Sequence, residues 1–155
     1  MDPNTATAVG FNGTILRSTD GGRLWAPQSS GTTVPLYAVS FEDANTGTTV
    51  GFGGIILRTL DGGATWTPQS SGTTNDLYAV SIVDADTETA VGAYGTIVRA
   101  TDGGATWTPQ SSGTFLGLLG VSFVDGSTGT GWGRRNDSPH QYWPCDSDLR
   151  SQPRD

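Results

Sequence analysis

The 155-residue chain is acidic, with 8 Lys+Arg against 15 Asp+Glu and a net charge of −7. Its first 133 residues hold only Arg17, Arg23, Arg58 and Arg99 as cations, which argues against binding a phosphate backbone and so against a nucleic-acid partner. Low hydrophobic content (34%), 23 glycines, one cysteine and no long apolar run exclude a helical membrane span and an internal disulfide, and predict short strands with tight turns.

In chain order, Asp2-Pro3-Asn4-Thr5 aligns with Asp43-Ala44-Asn45-Thr46, so the reading starts part-way through a repeat. A strand is expected at 7–10, a turn at Phe11-Asn12, a second strand at 14–17, and a third after the Asp-Gly-Gly turn, at Trp25-Ala26-Pro27-Gln28. Leu36-Tyr37-Ala38-Val39-Ser40-Phe41 then alternates in strand fashion, and an Asp/Asn/Gly turn leads to 48–51. The same order returns at 55–58 and Trp66, at 77–82, 89–92, 96–99 and Trp107, and begins again at 118–123 and 128–133. The string DGGATWTPQSSGT stands unchanged at 61–73 and 102–114, with a looser copy at 20–32. Asp20, Asp61 and Asp102 set a period of 41 residues.

Four short strands per period, without helical periodicity, predict an all-β chain of four-stranded antiparallel β-propeller blades. The blades are expected at 2–35, 36–76 and 77–117, with a partial fourth at 118–133. Propellers close with about four to eight blades, so about three imply a partial propeller or one completed between chains. Each Asp-Gly-Gly turn has a local account. The Asp carboxylate accepts backbone N–H groups further along the turn, the glycines accept positive φ, and the Trp fills the space between blades. On this reading Asp20, Gly22 and Trp25, Asp61, Gly63 and Trp66, and Asp102, Gly104 and Trp107 are structural. Three turns spread around a propeller do not converge on one substrate.

Thr59-Leu60-Asp61-Gly62-Gly63-Ala64-Thr65-Trp66 resembles the Asp-box, Ser/Thr-x-Asp-x-Gly-x-Thr-Trp, or bacterial neuraminidase repeat. The copy at 100–107 departs at Ala100 and the copy at 18–25 at Leu24. The wider pattern, G-x-x-G-x-I-L-R-T-x-D-G-G-x-T-W followed by L-x-x-V-S-F-x-D, is similar to the photosystem II assembly and stability factor repeat over residues 2 to about 133. That resemblance implies a structural Asp-box between third and fourth strands, an innermost L-Y-A-V-S-F strand, an exported compartment, and a non-catalytic role in binding or assembling protein. MDPNTATAVG has neither the basic nor the apolar region of a signal peptide. Sialidases and xyloglucan-cleaving hydrolases also carry Asp-boxes, which keeps a glycan-binding or hydrolase reading as the alternative. Tyr37, Tyr78 and the three strand arginines are repeat positions, and Glu42 and Glu88 read as turn residues, so no unique catalytic set forms. No cofactor, metal cluster or phosphate loop is expected.

Candidate binding residues are those that differ between copies. The second-to-third strand turns carry Phe11 and Asn12, Phe52, and Tyr94; the loops leading into the inner strand carry Val34, Asn75 and Phe115. These loops emerge on one face of a four-strand blade, where they form a protein- or glycan-binding surface or cap the blade cores. Arg17, Arg58 and Arg99 either bond between blades or form a charged ring that recognises acidic protein segments. A further reading joins chains head to tail, with the last copy of strand one completing a partner's first blade.

After Gly133 the repeat vanishes. Back-translated with a one-nucleotide shift, 135–143 permits Gly-Thr-Ile-Leu-Arg-Thr, the third-strand motif, where the period places it. The tail 134–155 is thus expected to be an out-of-frame reading of a fourth blade, poorly ordered, in which His140, Trp143 and Cys145 carry no evolved role.

Overall fold

The computed structural model describes residues 4–125 and 127–133; the expectations for 134–155 lie outside the described residues. Within the described residues thirteen strands form four antiparallel sheets, three of them simple meanders and the last a two-stranded hairpin. The first sheet holds β1 (Ala6–Val9), β2 (Ile15–Ser18) and β3 (Ala26–Gln28). The second holds β4 (Leu36–Phe41), β5 (Gly47–Gly51), β6 (Ile56–Thr59) and β7 (Thr67–Gln69). The third repeats it with β8 (Leu77–Ile82), β9 (Glu88–Gly92), β10 (Ile97–Ala100) and β11 (Thr108–Gln110). The last pairs β12 (Leu118–Phe123) with β13 (Gly129–Gly133). The molecule is a partial β-propeller of about three blades.

The L-Y-A-V-S-F strands lie innermost, with β8 packed between β4 and β12. β5 and β9 are buried along their whole length, because a blade in the middle of a stack has neighbours on both faces. Two apolar clusters fill the junctions between sheets. Ile15, Leu36, Leu57 and Trp66 join the first sheet to the second, with Val9, Val39 and Phe41 against them. Val50, Ile56, Leu77, Val98 and Trp107 join the second to the third. Trp66 and Trp107 therefore each pack back onto the preceding blade.

Sequence and structure differ in three details. The third strands start one residue later than expected, and the fourth begin just after the Trp. Glu88, read as a turn residue, opens β9 and is fully buried. β4 also sets six residues against the five of β5, so a bulge falls between Leu36 and Ala38 and re-aims Tyr37; β8 repeats this at Tyr78 and β12 at Leu119.

Candidate functional site

The second-to-third strand connections are single 3-10 turns at Phe11–Gly13, Phe52–Gly54 and Ala93–Gly95. Their last glycines have positive φ and lie so close to the carbonyls of Thr32, Thr73 and Thr114 that a Cβ would collide. The loop before each inner strand is held by its own hydroxyls: Thr32, Thr73 and Thr114 Oγ1 accept the N–H of Val34, Asn75 and Leu116 at 3.2, 3.1 and 3.1 Å. The two loops are bonded to each other. Phe52 N–H donates to the Pro35 carbonyl (3.0 Å), Ala93 N–H to the Asp76 carbonyl (2.9 Å), and Gly53 N–H to Asp76 Oδ1 (2.8 Å). One end of the blades is thus a rigid rim built from these two loop sets.

On that rim, Phe11, Phe52, Tyr94 and Phe115 are 76%, 52%, 72% and 90% exposed. Val34 and Asn75 are half-buried, and Asn75 Nδ2 donates to Thr96 Oγ1 at 2.8 Å, so these two shape the rim more than they project from it. Asn12, Gly53 and Tyr94 take the same left-handed conformation at φ 54°, 65° and 55°. Asn and Gly accept it readily; an aromatic residue there is strained. Tyr37 and Tyr78, raised by their bulges, meet as a tilted pair with ring centroids 5.8 Å apart. Burial pushes the Tyr37 hydroxyl up, with the Asp76 carboxylate adding to it. Sequence reasoning took Tyr37 and Tyr78 only as repeat positions and did not single out Asp76; the bulges that raise the tyrosines appear only in the pairing with β5 and β9.

The opposite end carries the Asp-boxes, whose carboxylates are engaged by their own turns. Asp61 accepts from Thr65 N (2.9 Å), Thr65 Oγ1 (2.7 Å) and Thr59 Oγ1 (2.8 Å), led by the Thr65 hydroxyl in holding its carboxyl down to about 2. Asp102 repeats the Thr106 bonds and Asp20 accepts from Leu24 N, Ser18 Oγ and Arg23 N, and both carboxyls are lowered. Gly63, at φ 88°, has Gln28 of the preceding sheet where a Cβ would stand. Trp66 and Trp107 are 8% and 7% exposed, whereas Trp25 is 42% exposed.

The arginines lie at this end too, each reaching into the next blade. Arg17 donates to the Ala44 carbonyl at 2.7 Å and lies 5.3 Å from the Phe41 ring centroid. Arg99 lies 5.2 Å from the Phe123 ring. Between them the sequence changes: Ile82 replaces the phenylalanine, Glu88 replaces Gly47 and Gly129, and Arg58 makes an ion pair with the buried Glu88. All three guanidiniums are half-buried and engaged between blades, on the end away from the aromatic rim. Among the described residues no group of three or more His, Cys, Asp or Glu is placed to hold a metal ion.

A family model described as photosynthesis system II assembly factor YCF48 matches residues 29–112, more than half of the chain. The chain belongs to the YCF48 family. The match runs from the first SSGT loop through both complete sheets. No curated protein matches the chain's sequence. Among solved structures, a YCF48 bound to a D1 peptide is similar at a TM-score of 0.69 and 22% identity, over 92% of this chain and 50% of that one. YCF48 from Cyanidioschyzon merolae gives 0.65 and 21%, over 92% and 52%. An ancestral GH74 enzyme gives 0.65 and 17%, over 96% and 21%. These three likenesses concern the fold, and the chain spans about half the length of the YCF48 structures it matches.

Proposed function

We propose that this chain is a non-catalytic β-propeller module that binds another protein through its aromatic rim, with an extended polypeptide segment as the partner. Its blades divide at 2–35, 36–76, 77–117 and 118–133. One observation carries the reading: four exposed aromatic side chains, Phe11, Phe52, Tyr94 and Phe115, stand at positions that vary between copies, together on one hydrogen-bonded rim. Aromatic side chains supply large contact area at small entropic cost, and a rigid rim adds little further cost on binding. Tyr94, held in a strained conformation with its ring in solvent, fits a contact residue better than a packing residue.

The related YCF48 is bound to a D1 peptide, a polypeptide partner. The net charge of −7 favours segments that are not strongly acidic. The Asp-box carboxylates are satisfied within their own turns, which leaves them no part in hydrolysis. A fluorescently labelled D1 peptide titrated into the full chain tests the proposal by anisotropy. Saturable binding that Phe52→Ala and Phe115→Ala each weaken about tenfold or more is expected for central aromatic contacts. No saturable binding, or binding indifferent to both variants, overturns it.

A further inference from the structure

Among the described residues three junctions follow one plan, and two of them are filled. In the first, Val9, Ile15, Leu36, Val39 and Phe41 form a bowl into which Leu57 and Trp66 pack. In the second, Val50, Ile56, Leu77 and Val80 form the same bowl, one period on, around Val98 and Trp107. In the third, Val91, Ile97, Leu118, Val121 and Phe123 stand two periods on from the first bowl and line a cavity of about 260 Å³. The positions one period after Val98 and Trp107 are Pro139 and Asp148, so the repeat supplies no second Leu/Trp pair there.

The missing side chains are on display at the other end of the molecule. Leu16 and Trp25 occupy, in the first sheet, the places of Leu57 and Trp66 in the second. Leu57 is 2% exposed, but Leu16 is half-buried, and Trp25 is 42% exposed beside an exposed Leu24. The first sheet presents a filler without a bowl; the last junction presents a bowl without a filler. A propeller closes with about four or more blades, so the described sheets of one copy do not close a ring on themselves.

We infer that a second copy of this chain docks its β2–β3 arm into the Val91/Ile97/Leu118/Val121 bowl, with Leu16 and Trp25 as the buried contacts. The same contact made in return closes the ring: each first sheet merges with the other copy's β12–β13, giving six blades from two chains. β1 and β13 hold the same place in a blade, so the merged sheet keeps one of them. β13 fits β12 better, because the Trp132 indole lies over Gly120, where Val50 and Val91 face Ala38 and Ala79. The partner is a second copy because each filled bowl takes a third-strand aliphatic residue and the Trp just before the fourth strand, and this chain exposes such a pair at Leu16 and Trp25.

Analytical ultracentrifugation of the full chain, without peptide, tests the inference. The expected species has twice the 16.1 kDa chain mass. Trp25→Ala and Val121→Glu should each weaken association at least about thirtyfold, the loss typical of a central aromatic or a charge placed in its pocket. Mixing the two variants should recover a heterodimer, since the first retains an intact bowl and the second an intact filler; misfolded variants would not complement. A monomer at all concentrations overturns the inference, as does a dimer unaffected by Trp25→Ala. Dimers that form only after deletion of residues 134–155 assign the bowl to the chain's own tail and overturn it as well. Peptide binding by a chain that stays monomeric leaves the proposed function standing alone.

Discussion

The two ends of each blade were built under different constraints. At the Asp-box end, the Asp-Gly-Gly turns recur with each Asp and Trp in place, the box carboxylates close their own turns, and the strand arginines reach into the next blade. At the rim, the backbone is just as tightly held, yet its side chains differ from copy to copy and stand in solvent. Repetition marks what the fold needs; variation on a fixed frame marks where it meets something else. Altering the Asp-box end should therefore cost stability, and altering the rim should cost binding.

The largest expected effect is at the tryptophans. Trp107→Ala empties the second junction and should cost roughly 3–5 kcal/mol in urea unfolding, whereas Phe115→Ala on the rim should stay within about 0.5 kcal/mol. Next comes Glu88→Ala, which leaves the Arg58 guanidinium facing an emptied site and should cost about 3 kcal/mol. The double change I82F/E88G restores the Phe and Gly found at 41 and 47, and at 123 and 129. It should recover most of that loss, because Arg58 can then lie over a ring as Arg17 and Arg99 do. An unfolding midpoint for the double variant no higher than for Glu88→Ala would break the equivalence of the three junctions.

Much of this was legible before the structure. The 41-residue period and the Trp-x-Pro-Gln pattern carry the strand order, and the turn chemistry of Asp61 and Gly63 follows from residue type. The rim residues could be placed on one end because strand count alone decides which loops emerge together. What could not be read is what depends on partners distant in sequence. Glu88 looks like a polar turn residue until Arg58, 30 positions earlier, is seen beside it. The exposure of Trp25 against the burial of Trp66 and Trp107 has no local cause either, since the three boxes are alike; it reflects which blade lies behind each.

Smaller effects sharpen the contrast. Tyr94→Gly removes the left-handed strain at the cost of a more flexible unfolded chain, so stability should move by no more than about 0.5 kcal/mol while rim binding weakens. The pH dependence belongs to the Asp-box end. The Asp61 carboxyl is held down to about 2 from 3.8, so its contribution is fully present above the unfolded value and is lost as pH falls from about 4 towards 2. Asp61→Asn should flatten that part of the acid unfolding curve, and an unchanged acid limb would show that the turn does not stabilise the fold through its carboxylate.

The division between the two ends is tested most directly by one anisotropy series with the labelled peptide, comparing Phe115→Ala and Tyr94→Gly with Thr65→Ala at temperatures where all three are folded. The rim variants should bind about tenfold or more weakly, and Thr65→Ala, at the Asp-box end, should bind as the original chain does. Equal binding by all, or loss confined to Thr65→Ala, would contradict the account.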